Sequence, residues 1–510
     1  MKIQASRAAG GYAVLSLAAL LGLSSALAAQ DVGFIGPSLL GSGPTVGNRA
    51  VTESKPENKV WIHDNRWWGS LWSSTALAYR IHRLDPSTHA WIDTGVAVES
   101  RPDSHSDALR DGAKLYILTH EFAVGGSPGD PILLQRYSYA AGAYVQDVGF
   151  PITIGDSSTE TATIEKDSTG RLWAVWKQNL RVYYSYTLGS DTLWSVPAPL
   201  PGSTTDFDPD DICGIQRFGG NKIGVMWNDN VQADFLFAVH VDGQDPATWL
   251  PVEVAWDGQS DDHINLAADS AGRVFAAVKN DNEDVMLLVR STAGLWDRFP
   301  VVDGNIPSER LSRPIVLLNE VDQTVQVFAS FGGAIYKKSS SMNTIAFAPG
   351  VGTLVMRDAD GLLNDPTSTR QNITTASGLV VLAANLSQAG NYWHHEVAGV
   401  SPGLVLNQPT PGTAGVQNAF VVTGATPNKA LAFYLSQNTG TRVIARPTCP
   451  AGIQTGLGLP LILLGNARSN ANGVATLNLV VPASVAGRTY HIQVIEAAQC
   501  RASNRITEVF

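Results

Sequence analysis

Four charged residues recur at one interval: Glu160, Asp211, Asp262 and Arg313 stand 51 positions apart. Small shifts in turn length extend the series to Lys55, Ser104 and Arg370, and the next residue in two of the repeats is a histidine, His105 or His263. Acids and bases brought to one level are the ingredients of proton transfer and of a clamp for a carboxylate or sulfate. Three chemistries compete. In one, His105 or His263 abstracts the proton beside a uronate carboxylate while Arg313 and Arg370 neutralise the enediolate, an eliminative cleavage. In the second, Arg310, Arg313 and Arg370 hold an acidic sugar while two of Glu160, Asp211 and Asp262 act as a hydrolytic carboxylate pair. In the third the charges are structural, bridging water and neighbouring strands, and the chain binds a ligand or displays a surface.

The elements that must position these residues repeat with the same period. Each polar cluster leads into an apolar strand such as Leu172-Trp173-Ala174-Val175-Trp176 or Val274-Phe275-Ala276-Ala277-Val278, then a tight turn and a second apolar strand. Outer strands carry an aromatic residue before a polar step, as in Trp91-Ile92-Asp93 and Trp296-Asp297-Arg298. Seven repeats of about fifty residues, all short strands, predict an all-β fold: a seven-bladed β-propeller over residues 29–400, with the charged positions ringed around one mouth of its channel. The seventh repeat, with strands expected at Gln371 to Thr375, Gly378 to Asn385 and Tyr392 to Ala398, lacks an outer strand. Gln30-Asp31-Val32-Gly33-Phe34 nearly duplicates Gln146-Asp147-Val148-Gly149-Phe150. The N-terminal segment is therefore expected to complete the last blade and to hide two open edges.

Lys2 and Arg7 ahead of the apolar run Ala13 to Leu23, with Ala26-Leu27-Ala28 after it, predict a signal peptide over residues 1–28 and a secreted or cell-surface protein. Without that segment the net charge moves from −10 to −12, which excludes nucleic acid and anionic membrane as natural partners. The run is too short for a membrane span. Cys449 and Cys500 are expected to form a disulfide, and Cys213, on an apolar strand, to be an inert buried thiol. The acidic run Asp206, Asp208, Asp210 and Asp211 offers oxygens for calcium but lacks the glycine and terminal glutamate of an EF-hand loop, so a solvated loop is expected. Trp67-Trp68 and His394-His395 are read as filling space between blades. No cofactor is expected, and the chain is read as a monomer.

The turn Asp167-Ser168-Thr169-Gly170-Arg171-Leu172-Trp173, echoed at Asp269-Ser270-Ala271-Gly272-Arg273-Val274-Phe275, resembles the turns of sialidase-like propellers. Asp261-Asp262-His263-Ile264-Asn265 is similar to a stretch of the propeller polysaccharide lyases that cleave sulfated uronate polymers. That resemblance implies an extracellular glycan as partner and elimination as its chemistry. A cell-surface ligand bound without catalysis, or sialidase-like hydrolysis, remains open beside it. After Pro402 the acids almost vanish and short Thr/Ala/Val strands such as Ala419 to Thr423 and Tyr490 to Ile495 predict an immunoglobulin-like sandwich over residues 403–510. Asn418-Ala419-Phe420-Val421-Val422-Thr423-Gly424 and the ending Cys500-Arg501-Ala502-Ser503-Asn504 resemble a C-terminal module of exported bacterial proteins, which implies a spacer or presentation role and no catalytic residue.

Overall fold

The computed structural model describes residues 31–42, 51–53, 56–123, 128–204, 207–258, 260–387, 389–397, 399, 404–470 and 473–510. The signal segment, Gln30, Lys55, Asp206 and the break at Ser401-Pro402-Gly403 lie outside them. From residue 60 to 397 the chain lays down seven antiparallel sheets in sequence order. Their first strands are Val60–His63, Ser104–Asp111, Ala162–Lys166, Cys213–Phe218, Ser260–Ala268, Ser312–Asn319 and Leu363–Thr367. Burial explains the stacking: inner strands such as Leu172–Gln178 and Val274–Asn280 are buried on both faces, so each sheet is covered on both sides by its neighbours. Shared clusters fill those gaps, for example Leu118, Ile132 and Leu134 against Ile164, Leu172 and Trp176 between the second and third sheets.

The first strands also meet edge to edge, and here the period acquires its physical cause. A strand that begins a sheet leaves its outer backbone groups without a ladder, and buried N–H groups need acceptors. Polar side chains one repeat away supply them. Asp107 accepts from Asn58 N at 2.9 Å and Ile164 N at 2.9 Å, Thr163 Oγ1 from Ile215 N at 3.1 Å, and Asn265 Oδ1 from Val316 N at 3.0 Å. Lys59 N reaches Thr367 Oγ1 at 3.3 Å, which joins the last sheet to the first. The arrangement is propeller-like.

The seventh sheet corrects two expectations. Its first strand is Leu363–Thr367, and the expected strand at Gln371 to Thr375 instead follows it as a connection, bridged through Ile373 to Asn319 of the sixth sheet. The N-terminal segment does supply the outermost strand, but through Phe34–Ser38, which pairs with Asn391–Val397 in the register Phe34 to His394 and Ile35 to Trp393. Val32 pairs with Arg357 of the sixth sheet instead, so the segment ties two sheets together. Close packing explains Gly36: a Cβ there would lie 2.9 Å from Tyr392 Cβ. Phe34 stacks on His89 of the first sheet at 3.9 Å between ring centroids.

Residues 405–509 form two facing sheets, Val405–Leu406 with Gln417–Thr423 and Ala475–Val480, and Ile462–Arg468 with Ala430–Ser436, Thr489–Glu496 and Ile506–Val509, plus the ribbon Thr439–Arg446 with Cys449–Leu457. Their core is separate, with Phe420, Phe433, Ile492 and Phe510 at its centre. Cys449 and Cys500 are bonded, with Cα atoms 5.4 Å apart, and Asn504 exchanges two hydrogen bonds with Leu406. Among the described residues no helix is long and apolar enough to cross a membrane.

Candidate functional site

The expected ring divides into a mouth cluster and a buried plug. At the mouth, Glu160, Asp210 and Asp262 come from the third, fourth and fifth repeats, and their oxygens lie within 4.8 Å of one another. Glu160 and Asp262 are buried, whereas Asp210 is exposed. His263 stands beside them: its Nδ1 is 2.7 Å from Asp262 Oδ1 and 3.3 Å from Asp261 Oδ2, and its Nε2 is 3.2 Å from Ser312 Oγ. Lys279 Nζ pairs with Asp261 at 2.5 Å. The hydrogen bond from His263 holds the Asp261 carboxyl below its usual range even though burial opposes that shift.

Asp211 belongs to the same mouth in a supporting role. Its oxygens accept from Asp208 N at 2.8 Å, Asn228 Nδ2 at 2.7 Å and Asn230 N at 3.1 Å, so it clasps the loop that presents Asp210. Burial pushes this carboxyl up to about 7 against the pull of those donors and of Lys177. Lys177 Nζ donates to Asp208 O at 2.6 Å and to Pro209 O, completing the loop from the neighbouring sheet.

Arg313 reaches the mouth but is already paired, its Nε 2.7 Å from Asp365 Oδ1. Both partners sit at irregularities in adjacent first strands, Arg313 at φ 54° within the Ser312/Ile315 shift and Asp365 at φ 52° within the Asn364/Thr367 shift. The fifth sheet has a third shift at the same level, Ser260/His263. Left-handed non-glycine residues and bulges carry local strain, and their concentration on three adjacent strands at one mouth marks a shaped site. Asp365 is the residue that sequence reading missed. It stands 52 residues after Arg313, so an unstretched period leads to it.

Arg370 is corrected. It does not join Glu160 but reaches further along the neighbouring first strands, where it binds Asp107, the Ile164 carbonyl and, at 3.2 Å, Glu165 Oε2. The turn after Thr367 carries it inward, and the buried Asp107 and Glu165 give its guanidinium the acceptors that burial demands. His105 is also separated from His263. It packs against His120 and Phe122, with ring centroids 5.9 and 5.1 Å away, and its ring nitrogens belong to a buried group with Glu57 and His120. Glu57 receives Lys59 Nζ at 2.7 Å, His120 Nε2 at 2.5 Å and Ala162 N at 3.0 Å. Lys59 and His120 hold its carboxyl down to about 2 although burial, the largest influence, acts the other way. Ser104 is buried at the start of the same strand, and Arg310 donates to Gly304 O at 2.9 Å.

The resembling turns are structural. Asp167 accepts from Thr169 N, Arg171 N and Trp173 Nε1, each at 2.9 Å, and Asp269 holds Arg273 in the same way. Trp67 donates to Ser377 O in the seventh sheet, while Trp68 meets Tyr139 and Tyr144 of the second, so the pair joins neighbouring sheets. Cys213 is fully buried and its thiol is pushed up to about 12 by that burial.

No protein-family model and no curated protein matches the sequence. Solved structures that resemble it include the hydrazine synthase of Kuenenia stuttgartiensis, at 12% identity over 70% of this chain and 100% of that one, TM-score 0.43. A polysaccharide lyase aligns at 10% identity over 72% and 97%, TM-score 0.40. The six-bladed fucose-binding lectin of Aleuria aurantia aligns at 11% over 59% and 96%, TM-score 0.38.

Proposed function

We propose that the chain is an exported seven-bladed β-propeller of residues 29–400 followed by an immunoglobulin-like sandwich of residues 403–510, and that its acidic mouth takes an extracellular glycan. The convergence of Glu160, Asp210 and Asp262 within 4.8 Å carries the glycan reading. Ionised carboxylates are acceptors, and the hydroxyl and amino groups of a sugar are donors of matching chemistry. The seven sheets in sequence order and the two facing sheets after residue 404 support the architecture.

Elimination loses its footing on electrostatic grounds. A uronate needs unspent cations, whereas Arg370 is consumed by Asp107 and Glu165 and Arg313 by Asp365. Around the mouth, Glu53, Glu160, Asp210, Asp261, Asp262 and Asp365 outnumber Lys177, Lys279 and Arg313, so a polyanion would meet repulsion. Hydrolysis of a neutral or amino sugar polymer fits better. Carboxyl groups about 5 Å apart suit a nucleophile and a proton donor on one glycosidic bond, with Asp210 the exposed member.

The test is a panel of neutral, amino and uronate polysaccharides, read by new reducing ends, by ultraviolet absorbance of an unsaturated product, and by calorimetry. Reducing ends without absorbance, lost in Asp210→Asn and Glu160→Gln, are expected. Absorbance on uronates would restore elimination. Binding without product would make the mouth a lectin-like site, and binding unchanged in the double variant would remove the mouth from consideration.

A further inference from the structure

A second concavity lies away from the mouth, where the first and seventh sheets face the C-terminal sheets. It encloses about 850 Å³ and is lined by Arg66, Trp67 and Arg83 on one side and by Thr426, Pro427 and Arg501 on the other. Its charges are unequally spent. Of the acids that line it, Asp85 accepts Ser87 N at 3.0 Å and Ser87 Oγ at 2.7 Å, and Glu396 is engaged by His89 and His394. Arg501 is held by Glu496 at 2.7 Å and Gly424 O at 2.6 Å. Arg66 and Arg83 stand in no close ion pair among the described residues, although Arg83, after the Ser87 hydrogen bonds, helps to hold the Asp85 carboxyl below its usual range. The nearby Asp64 accepts the Tyr139 hydroxyl at 3.3 Å.

We propose that this cleft is an anion site for a carboxylate- or sulfate-bearing saccharide, held by Arg66 and Arg83 and bridging the propeller-like ring to the C-terminal sheets. Guanidinium forks match both oxyanions in two-point geometry. Trp67 is buried and gives its indole N–H to Ser377 O, so it shapes the wall behind the two arginines. The site is opposite in sign to the mouth, and one glycan bearing both amino and acidic sugars could engage both. This inference does not depend on the reading of the mouth, because no residue is shared.

The test uses the full chain, with polygalacturonate and dextran sulfate as carboxylated and sulfated probes and neutral dextran as the control. Anionic probes are expected to bind with salt-sensitive affinity and dextran not to bind. Each of Arg66→Gln and Arg83→Gln should weaken binding roughly 10-fold or more, the size of one charge-assisted contact. Arg298→Gln, an exposed arginine outside the cleft, should leave it unchanged. Preference for one probe identifies the oxyanion. Equal binding of dextran, unchanged binding in the Arg66/Arg83 double variant, or an equal loss in Arg298→Gln would overturn the proposal. Inorganic sulfate that saturates the protein yet fails to compete with either polymer would do the same.

Discussion

Replacing Arg370 with Met tests whether the channel is held by a buried charge plug. The side chain is buried, and its removal strands Asp107, which is fully buried, and Glu165, which is nearly so. Breaking a buried ion pair from one side costs about 3–5 kcal/mol, because the remaining charge has lost its compensation. For a unit of this size that is a fall of roughly 4–6 °C in Tm. Burial already raises the Asp107 carboxyl against the pull of Arg370, so losing the arginine raises it further. A carboxyl whose folded pKa lies above its unfolded value imposes no penalty below the unfolded value, and the penalty grows as pH rises to the folded one. The gap between variant and parent should therefore widen as pH rises above the ordinary carboxylate range. All 13 tryptophans precede residue 400, so intrinsic fluorescence during urea unfolding reports on this part of the chain alone. Adding Asp107→Asn should give a less than additive loss, with a coupling of roughly 1–3 kcal/mol. A loss below about 1 kcal/mol, or one independent of pH, would refute the plug.

Three further outcomes are expected. Gly36→Val should push the closing strand off Tyr392 and cost about 1–3 kcal/mol, seen as a lower urea midpoint by the same fluorescence. Asp211, raised to about 7 in the fold, contributes stability that is complete below about pH 4 and lost as pH rises through 7. Asp211→Asn should accordingly flatten the stability profile across that window. Opening the Cys449–Cys500 bond with paired serines should cost the C-terminal sheets about 2–4 kcal/mol, while thiol labelling of the unfolded parent without reductant modifies Cys213 alone.

What the sequence determined by itself was the repeat and its consequences. The spacing of 51 reflects a real constraint, because polar side chains on one first strand accept N–H groups from the next, as Thr163 does for Ile215 and Asn265 for Val316. Apolar alternation, the aromatic steps, the donor strand from the N-terminus and the cysteine pairing were legible for the same reason: each is a local pattern or follows from counting strands. Tertiary structure decided which charges remain available. Arg370 and Asp365 differ by five positions, yet a turn after Thr367 sends one into a buried plug and leaves the other facing Arg313 at the mouth. His105 and His263 occupy like places in their repeats but different surroundings, one packed among Glu57, His120 and Phe122, the other between Asp262 and Ser312. Repetition specifies the level at which a side chain starts. Its pairing depends on what the other strands around the channel present there, and residues 50 to 300 positions distant supply that.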